Sequence, residues 1–197
     1  MGYTVVYDAC VLYPITLCDL LLRLANMDRF QAKWTDQILD ECFEHLAINR
    51  PDLSPAQLAW RRSQMVEGVL DCMVTGYEPL VEGLELPDPD DRHVLAAAIR
   101  SEAQAIITFN LDDFPAEALS PYSVEAIHPD AFVINQMDEG QAAVEIVVQV
   151  FRGMLAAFKK PPLSSDELLQ RLERQELKES VARLRAYLVQ LPTDRTS

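Results

Sequence analysis

The stretch Val5-Val6-Tyr7-Asp8-Ala9-Cys10-Val11-Leu12-Tyr13-Pro14 decides the reading of the fold. Val5, Val6 and Tyr7 form a short unbroken apolar run, the pattern of a buried strand, and the run stops at a carboxylate, Asp8. Pro14 suits the first turn of a helix, and Ile15, Leu17, Leu20, Leu21 and Leu24 then recur at helical spacing. A buried strand ending on an acid and passing into a helix is the beginning of an α/β unit.

The rest of the chain extends this pattern. Thr35 is a plausible N-cap for a helix with Ile38, Leu39, Cys42, Phe43 and Leu46 on one stripe. Ser54-Pro55 opens a third helix, expected to run through Trp60, Met65, Val69 and Met73. Gly76 to Val81 reads as extended, and Leu86-Pro87-Asp88-Pro89-Asp90-Asp91 as a turn leading into a helix over Arg92–Glu102. Ala105-Ile106-Ile107-Thr108-Phe109 is a continuous apolar run, typical of a strand buried on both faces, and Asn110-Leu111-Asp112-Asp113-Phe114-Pro115 is the loop at its end. Ser123–Ile127 reads as one more short strand. Short buried strands between helices imply a layered α/β domain with a mainly parallel sheet flanked by helices. That domain is expected over 1–128. A helical extension follows over 129–197, with helices at about 129–157 and 164–189 separated by Lys159-Lys160-Pro161-Pro162. No internal repeat is present.

The chain has 197 residues, 49% of them hydrophobic, enough for one domain of ordinary size with an appendage. The N-terminus has no basic segment ahead of its apolar run, and no apolar stretch approaches the ~20 residues that span a bilayer. A soluble cytoplasmic protein without a membrane role is therefore the expectation. Cys10, Cys18, Cys42 and Cys72 are spaced by eight, twenty-four and thirty residues, form no C-x-x-C pair and lie in apolar contexts, so buried free thiols are expected. The net charge of −14 argues against loose, non-specific binding to nucleic acid. It is unevenly spread: residues 1–150 carry 8 Lys and Arg against 25 Asp and Glu, whereas residues 151–197 carry 9 against 6.

In open parallel sheets, ligands gather at the carboxyl ends of the strands. Asp8 follows the first strand; Asn110, Asp112 and Asp113 follow the strand at 105–109; Asp91 stands at a helix start; Glu41 lies in a helix able to pack beside them. Each has a plain structural reading: strand terminator, turn former, N-cap or solvated helix residue. They acquire a joint meaning if they converge. Clustered carboxylates repel one another, and a hard divalent cation such as Mg²⁺ or Mn²⁺ relieves that repulsion, activates water and stabilises charge on a phosphate.

At these residues the sequence resembles the PIN-domain family. Asp8 within Val-Val-Tyr-Asp-Ala-Cys-Val-Leu-Tyr-Pro resembles its opening strand and first acid, Ile38-Leu39-Asp40-Glu41 the segment bearing its glutamate, Leu86–Ala98 its third acidic motif with Asp91 at the catalytic place, and Ile106–Pro115 its fourth. The order and spacing match over residues 3 to about 127. His128-Pro129-Asp130-Ala131-Phe132 resembles the start of the helical extension of a VapC-like subgroup. The resemblance implies a PIN-like fold, a Mg²⁺- or Mn²⁺-dependent endoribonuclease acting on RNA, and a toxin restrained by a cognate antitoxin, with homodimers common. It implies that Asp8 and Asp91 hold the metal, that Glu41 ligates it through water or orients the attacking water, and that Asn110 with Asp113 completes the site. Thr108 is expected to hydrogen-bond an acidic neighbour. Many PIN domains carry Asp where Asn110 stands, so Asp113 is favoured as the replacement acid and fourth metal ligand. His93, two residues past Asp91 on a helix, is expected to point elsewhere as a structural histidine.

In the extension, Lys159, Lys160, Arg171 and Arg174 are candidates for holding the RNA backbone, against the plainer reading of a solvated helical face. Two other phosphate chemistries fit poorly. A haloacid-dehalogenase-type phosphotransferase needs a second Asp where Cys10 stands, and a phospho-receiver needs an acidic pair and a late lysine that are not in place. The competitor from a different class is a PIN-like RNA- or protein-binding module without activity. Asn110 favours it, and the joint presence of Asp8, Glu41 and Asp91 opposes it.

Overall fold

The computed structural model describes residues 2–138, 140–159 and 161–190. They fall into two compact units that divide between Pro129 and Asp130.

The first unit is an α/β layer built on β1 (Thr4–Tyr7), which is buried along its whole length. α1 (Ala9–Leu12) and α2 (Ile15–Ala25) follow and lead to β2 (Gln31–Lys33), then α3 (Asp36–Asn49) and α4 (Pro55–Gly68). α5 (Glu78–Val81) and α6 (Arg92–Arg100) precede β3 (Ala105–Ile107), and α7 (Ala116–Leu119) precedes β4 (Glu125–Ile127). The four strands form one all-parallel sheet in the order β2-β1-β3-β4. The chain leaves β1 toward β2 on one side and returns through β3 on the other. The ends of β1 and β3 therefore flank the topological switch point, where such sheets open a crevice. Register fixes what lies there. Val5 pairs with Ala105 and Tyr7 with Ile107, and the Asp8 amide still donates to the Ile107 carbonyl at 3.2 Å.

Local signals explain the helices. The Thr35 hydroxyl accepts from the Ile38 amide at 3.0 Å and starts α3, and Ser54 and Gln57 form a reciprocal capping box at the head of α4. Tyr7 stacks on Trp34 with ring centroids 6.1 Å apart, and its hydroxyl donates to the Leu21 carbonyl at 3.2 Å, which ties α2 and the end of β2 to the central strand.

The sequence reading departs from the structure at several boundaries. Gly76–Val81 is not extended throughout, because Glu78–Val81 is a helical turn begun by Pro79 near its start. α4 stops at Gly68 rather than continuing through Met73. Asp71 takes a left-handed backbone (φ 54°), and Met73 bridges in parallel to Trp34, lengthening the sheet edge. α6 ends at Arg100, with Glu102 at φ 52°. β3 ends at Ile107 instead of running to Phe109, although the Thr108 amide still donates to the Ile127 carbonyl at 3.1 Å. β2 was not anticipated at all. All four cysteines are free; Cys18, Cys42 and Cys72 are buried, and Cys10 is only partly so.

The second unit is helical: α8 (Pro129–Met137), α9 (Gln141–Ala157), α10 (Ser165–Arg174) and α11 (Lys178–Gln190). Each of the two long helices expected from sequence is divided. Gly140, at φ 98°, separates α8 from α9, and Glu176, at φ 65°, separates α10 from α11. The core is a helical stripe of Val144, Val147, Phe151 and Met154 with Leu168, Leu172, Val181 and Leu184. Asp130 closes it. Its carboxylate accepts from the backbone amides of Glu179 and Ser180 at 2.9 and 2.8 Å, so α8 supplies the cap for α11. No helix among the described residues is long and apolar enough to cross a membrane.

Replacing Asp130 with Ala leaves two buried N–H donors at the head of α11 without an acceptor. The expected cost is about 2 kcal/mol in denaturant unfolding of the full chain. An unchanged midpoint would show that the cap does not hold this unit together.

Candidate active site

Asp8 is placed by the backbone. It is the N-cap of α1, directly after β1, and only 4% exposed. A carboxylate so buried needs donors. Oδ1 accepts from the Ala9 amide at 2.6 Å. Oδ2 accepts from the Thr108 hydroxyl at 2.7 Å and from the Cys10 thiol at 3.1 Å. The Thr108 oxygen in turn accepts from the Asn110 amide at 3.0 Å, which turns the chain out of β3. Thr108 thus does what the sequence assigned to it, with Asp8 as its acidic neighbour. Cys10 was not singled out. Burial pushes its thiol up to about 12, with the charge of Asp8 adding to the shift, so it stays a neutral donor.

Asp91 closes the single turn Pro89–Asp91 and stands at the head of α6. Its carboxyl is raised to about 7, first by desolvation, then by the charges of Asp8, Asp88 and Asp113, with His93 drawing it partly back. The acids that sequence reading set far apart therefore act on one another. Asp113, partly buried in the turn Leu111–Asp113, belongs to this group, whereas Asp112 is exposed. Asp88 is a further member. Its carboxylate accepts from the Asp90 amide at 2.9 Å, and the turn chemistry that makes it a cap also hid its second role.

Glu41 projects from α3 with its side chain 38% exposed. Its Oε1 lies 2.8 Å from Nε2 of His93. The ring N–H directions are not aimed at the carboxylate, and neither ring nitrogen has a hydrogen bond. His93 is buried, as a structural histidine would be, but it does not point away from the site. The helical offset of two residues assumes that both lie in one regular helix, and Asp91 belongs to the turn before α6. Asn110 is exposed, and its backbone rather than its amide side chain makes the contact with Thr108.

Among the described residues, no three His, Cys, Asp or Glu side chains form a ready-made cation cage. The donor set still suits a hard divalent ion. It is all oxygen, and Mg²⁺ binds through one or two carboxylates while keeping several waters. The mutual repulsion that raises Asp91 is the charge surplus such an ion would offset.

Of the cationic candidates in the second unit, Lys159 is exposed beside Pro162, and Arg171 lies over the Phe158 ring at 5.5 Å. Arg174 is exposed on α10. Lys160 lies outside the described residues.

Residues 4–112 match the PIN domain, and residues 129–186 match the VapC50 C-terminal domain. The chain belongs to the PIN-domain family. A Mycobacterium tuberculosis protein named "Putative ribonuclease VapC50" is 39% identical over 108 residues, which is 55% of this chain and 62% of that relative. The similarity thus spans less than two thirds of the relative's length. No solved structure matches the chain.

The raised Asp91 has a thermodynamic consequence. Its folded value lies above the ordinary one, so its contribution is fully present below about pH 4 and is lost as pH rises through about 7. In EDTA at about pH 8, Asp91→Asn is expected to be more stable than the parent chain by about 1–2 kcal/mol, after allowance for solvent screening of a part-exposed carboxyl. Near pH 4 the difference should vanish. Equal melting at both pH values would show that the acids do not crowd Asp91.

Proposed function

We propose that this chain is a Mg²⁺- or Mn²⁺-dependent endoribonuclease, the toxin of a type II toxin–antitoxin pair. The observation that supports the reading is that Asp91, raised to about 7 first by desolvation, also lies within reach of the charges of Asp8 and Asp113, the acids that follow β1 and β3 of the parallel sheet. The family and the name of the relative give the same direction.

Asp8 is the fixed acid. Its three donors set both oxygens before any ligand arrives, so orientation is settled on folding. Asp91 and Asp113 are the further acids proposed to supply oxygens to the same site. A bound divalent ion offsets phosphate charge and lowers the pKa of a water. Glu41, part-exposed on α3, is proposed to accept a hydrogen bond from the attacking water. Asn110 sets Thr108 through its amide, and its own side chain reaches solvent, where RNA approaches.

Residues 1–128 form the nuclease part of this proposal and 129–197 the extension. Lys159, Arg171 and Arg174 form no ion pair with a described residue, unlike Lys178, Arg183 and Arg185, which pair with Glu176, Asp138 and Asp166. The former three, with Lys160, are proposed to hold RNA phosphates. A cognate antitoxin, a homodimer and a cytoplasmic location complete the reading, and each follows from the family.

A mixed pool of structured RNAs, incubated with purified protein and Mn²⁺, is expected to be cut, and EDTA should stop it. Asp91→Asn should slow cutting by about 100-fold or more, beyond the usual effect of losing a supporting group. Cleavage at the parent rate would sink the site assignment. Absence of both cleavage and Mn²⁺ binding would favour the binding-module reading that Asn110 suggests, whereas Mn²⁺ binding without cleavage would point to a narrow substrate missing from the pool. Separately, charge reversal at Arg171 and Arg174 should weaken RNA binding and flatten its logarithmic salt dependence by about 0.7 per lost contact. An unchanged slope would remove the extension from RNA contact.

A further inference from the structure

We propose that His93 is a positioning residue of the acidic site, its buried imidazole fixing Glu41 in place through Nε2. The inference rests on the reading of the site as a divalent-cation site, and it assigns work to a residue outside the four acidic motifs.

Three observations carry it. The first is burial with unmet polarity. His93 is 2% exposed, and neither Nδ1 nor Nε2 has a hydrogen bond. A buried N–H without an acceptor costs free energy that an apolar side chain of similar size would not incur. A histidine retained only for packing has no reason to bear that cost. The second is proximity. Among the acids, the group within ion-pair distance of Nε2 is Glu41, at 2.8 Å, and it comes from α3 rather than from the helix that carries His93. Glu41 needs such a hold. Its side chain is more than a third exposed, and the hydrogen bond it accepts from Gln37 is long at 3.5 Å. The third is position. His93 lies one residue inside the head of α6, directly after the turn that carries Asp91. It therefore stands between an acid on α3 and an acid before α6, and it is the group that relates the two.

The off-line geometry is informative. The nitrogen and the carboxylate oxygen are within 2.8 Å of one another but not aligned. His93 thereby restricts Glu41 to the rotamers that keep it within reach of the site, the role outer-sphere partners have for ligating carboxylates. Sequence reading missed it because the helix boundary falls between Asp91 and His93.

The test is Mn²⁺ binding by the full chain, read by electron paramagnetic resonance and so independent of any RNA. Met and Gln have nearly the same shape, but only Gln carries an N–H. His93→Met should weaken Mn²⁺ binding by about 10-fold, and His93→Gln should recover most of that loss. Glu41→Gln should weaken binding by a similar factor, and His93→Met combined with Glu41→Gln should be no weaker than the worse single variant. Equal affinities for the Met and Gln variants, or losses that multiply in the double variant, would overturn the proposal while leaving the cation site standing. If both His93 variants fail to fold, Glu41→Gln, a change at a part-exposed side chain, decides alone, and parent-like affinity in it overturns the proposal. No Mn²⁺ binding by the parent chain would remove the site reading, and this inference with it.

Discussion

The hydrogen bond from Thr108 to Asp8 closes the seam between β1 and β3 where both strands run out. A carboxylate 4% exposed in a protein interior is tolerated only if donors replace the water it has lost. The donors come from Ala9, Cys10 and Thr108, the last a hundred residues away in the chain. They meet because the parallel register sets Tyr7 opposite Ile107. A slip of one residue would turn Thr108 to the other face of the sheet and leave Asp8 unsatisfied. The register of the core and the geometry of the site are therefore one constraint. The long apolar contacts of Val5, Val6, Ile106 and Ile107 that fix the strands also fix the acid.

Around that fixed point the fold gathers negative charge at some expense to stability. Asp88, Asp91 and Asp113 come from two separate turns, each with its own cap or turn chemistry, and each can be accounted for locally. What cannot be accounted for locally is their sum. Desolvation and like charge together hold Asp91 at about 7, a value that stabilises nothing in the folded protein near neutral pH. Sites where local choices conflict with stability are where function is expected to reside. The neutral thiol of Cys10 fits this reading. It supports Asp8 without adding a charge to an already crowded site.

Much of this was legible in the sequence because the signals were physical. The unbroken apolar runs at 5–7 and 105–107 have no solvated face, so they had to be parallel strands covered on both sides. Thr35 and Ser54 named their helices because cap chemistry is local. Other features were illegible for equally specific reasons. β2 has two polar residues among three, and only the fold shows that Lys33 buries its stem and places its ammonium 2.8 Å from Asp71. Glu102 and Glu176 take left-handed conformations that glycine normally signals, so the helix ends they mark carry no sequence punctuation. The role of His93 depended on a helix boundary placed correctly to within one residue, which is finer than periodicity resolves.

The charge asymmetry between the two parts of the chain needs a narrower interpretation than composition suggests. Residues 151–197 have an excess of cations, but much of that excess is committed. Arg185 joins the head of α10 through Asp166, Arg183 reaches Asp138 after α8, and Lys178 pairs with Glu176 in the bend between α10 and α11. The first two pairs bring together separate elements of the second unit, and exposed pairs of this kind contribute little to stability each. Their larger effect is on what remains. A polyanion binds most readily to cations not already held in ion pairs, and Lys159, Arg171 and Arg174 are three such cations among the described residues of the extension, as is Arg152. Arg171 is further set by Phe158, whose ring face restrains the guanidinium and lowers the entropy lost when it grips a phosphate. The net charge of the extension is thus a poor guide to its affinity for RNA, and the placement of these few unpaired cations is the relevant quantity.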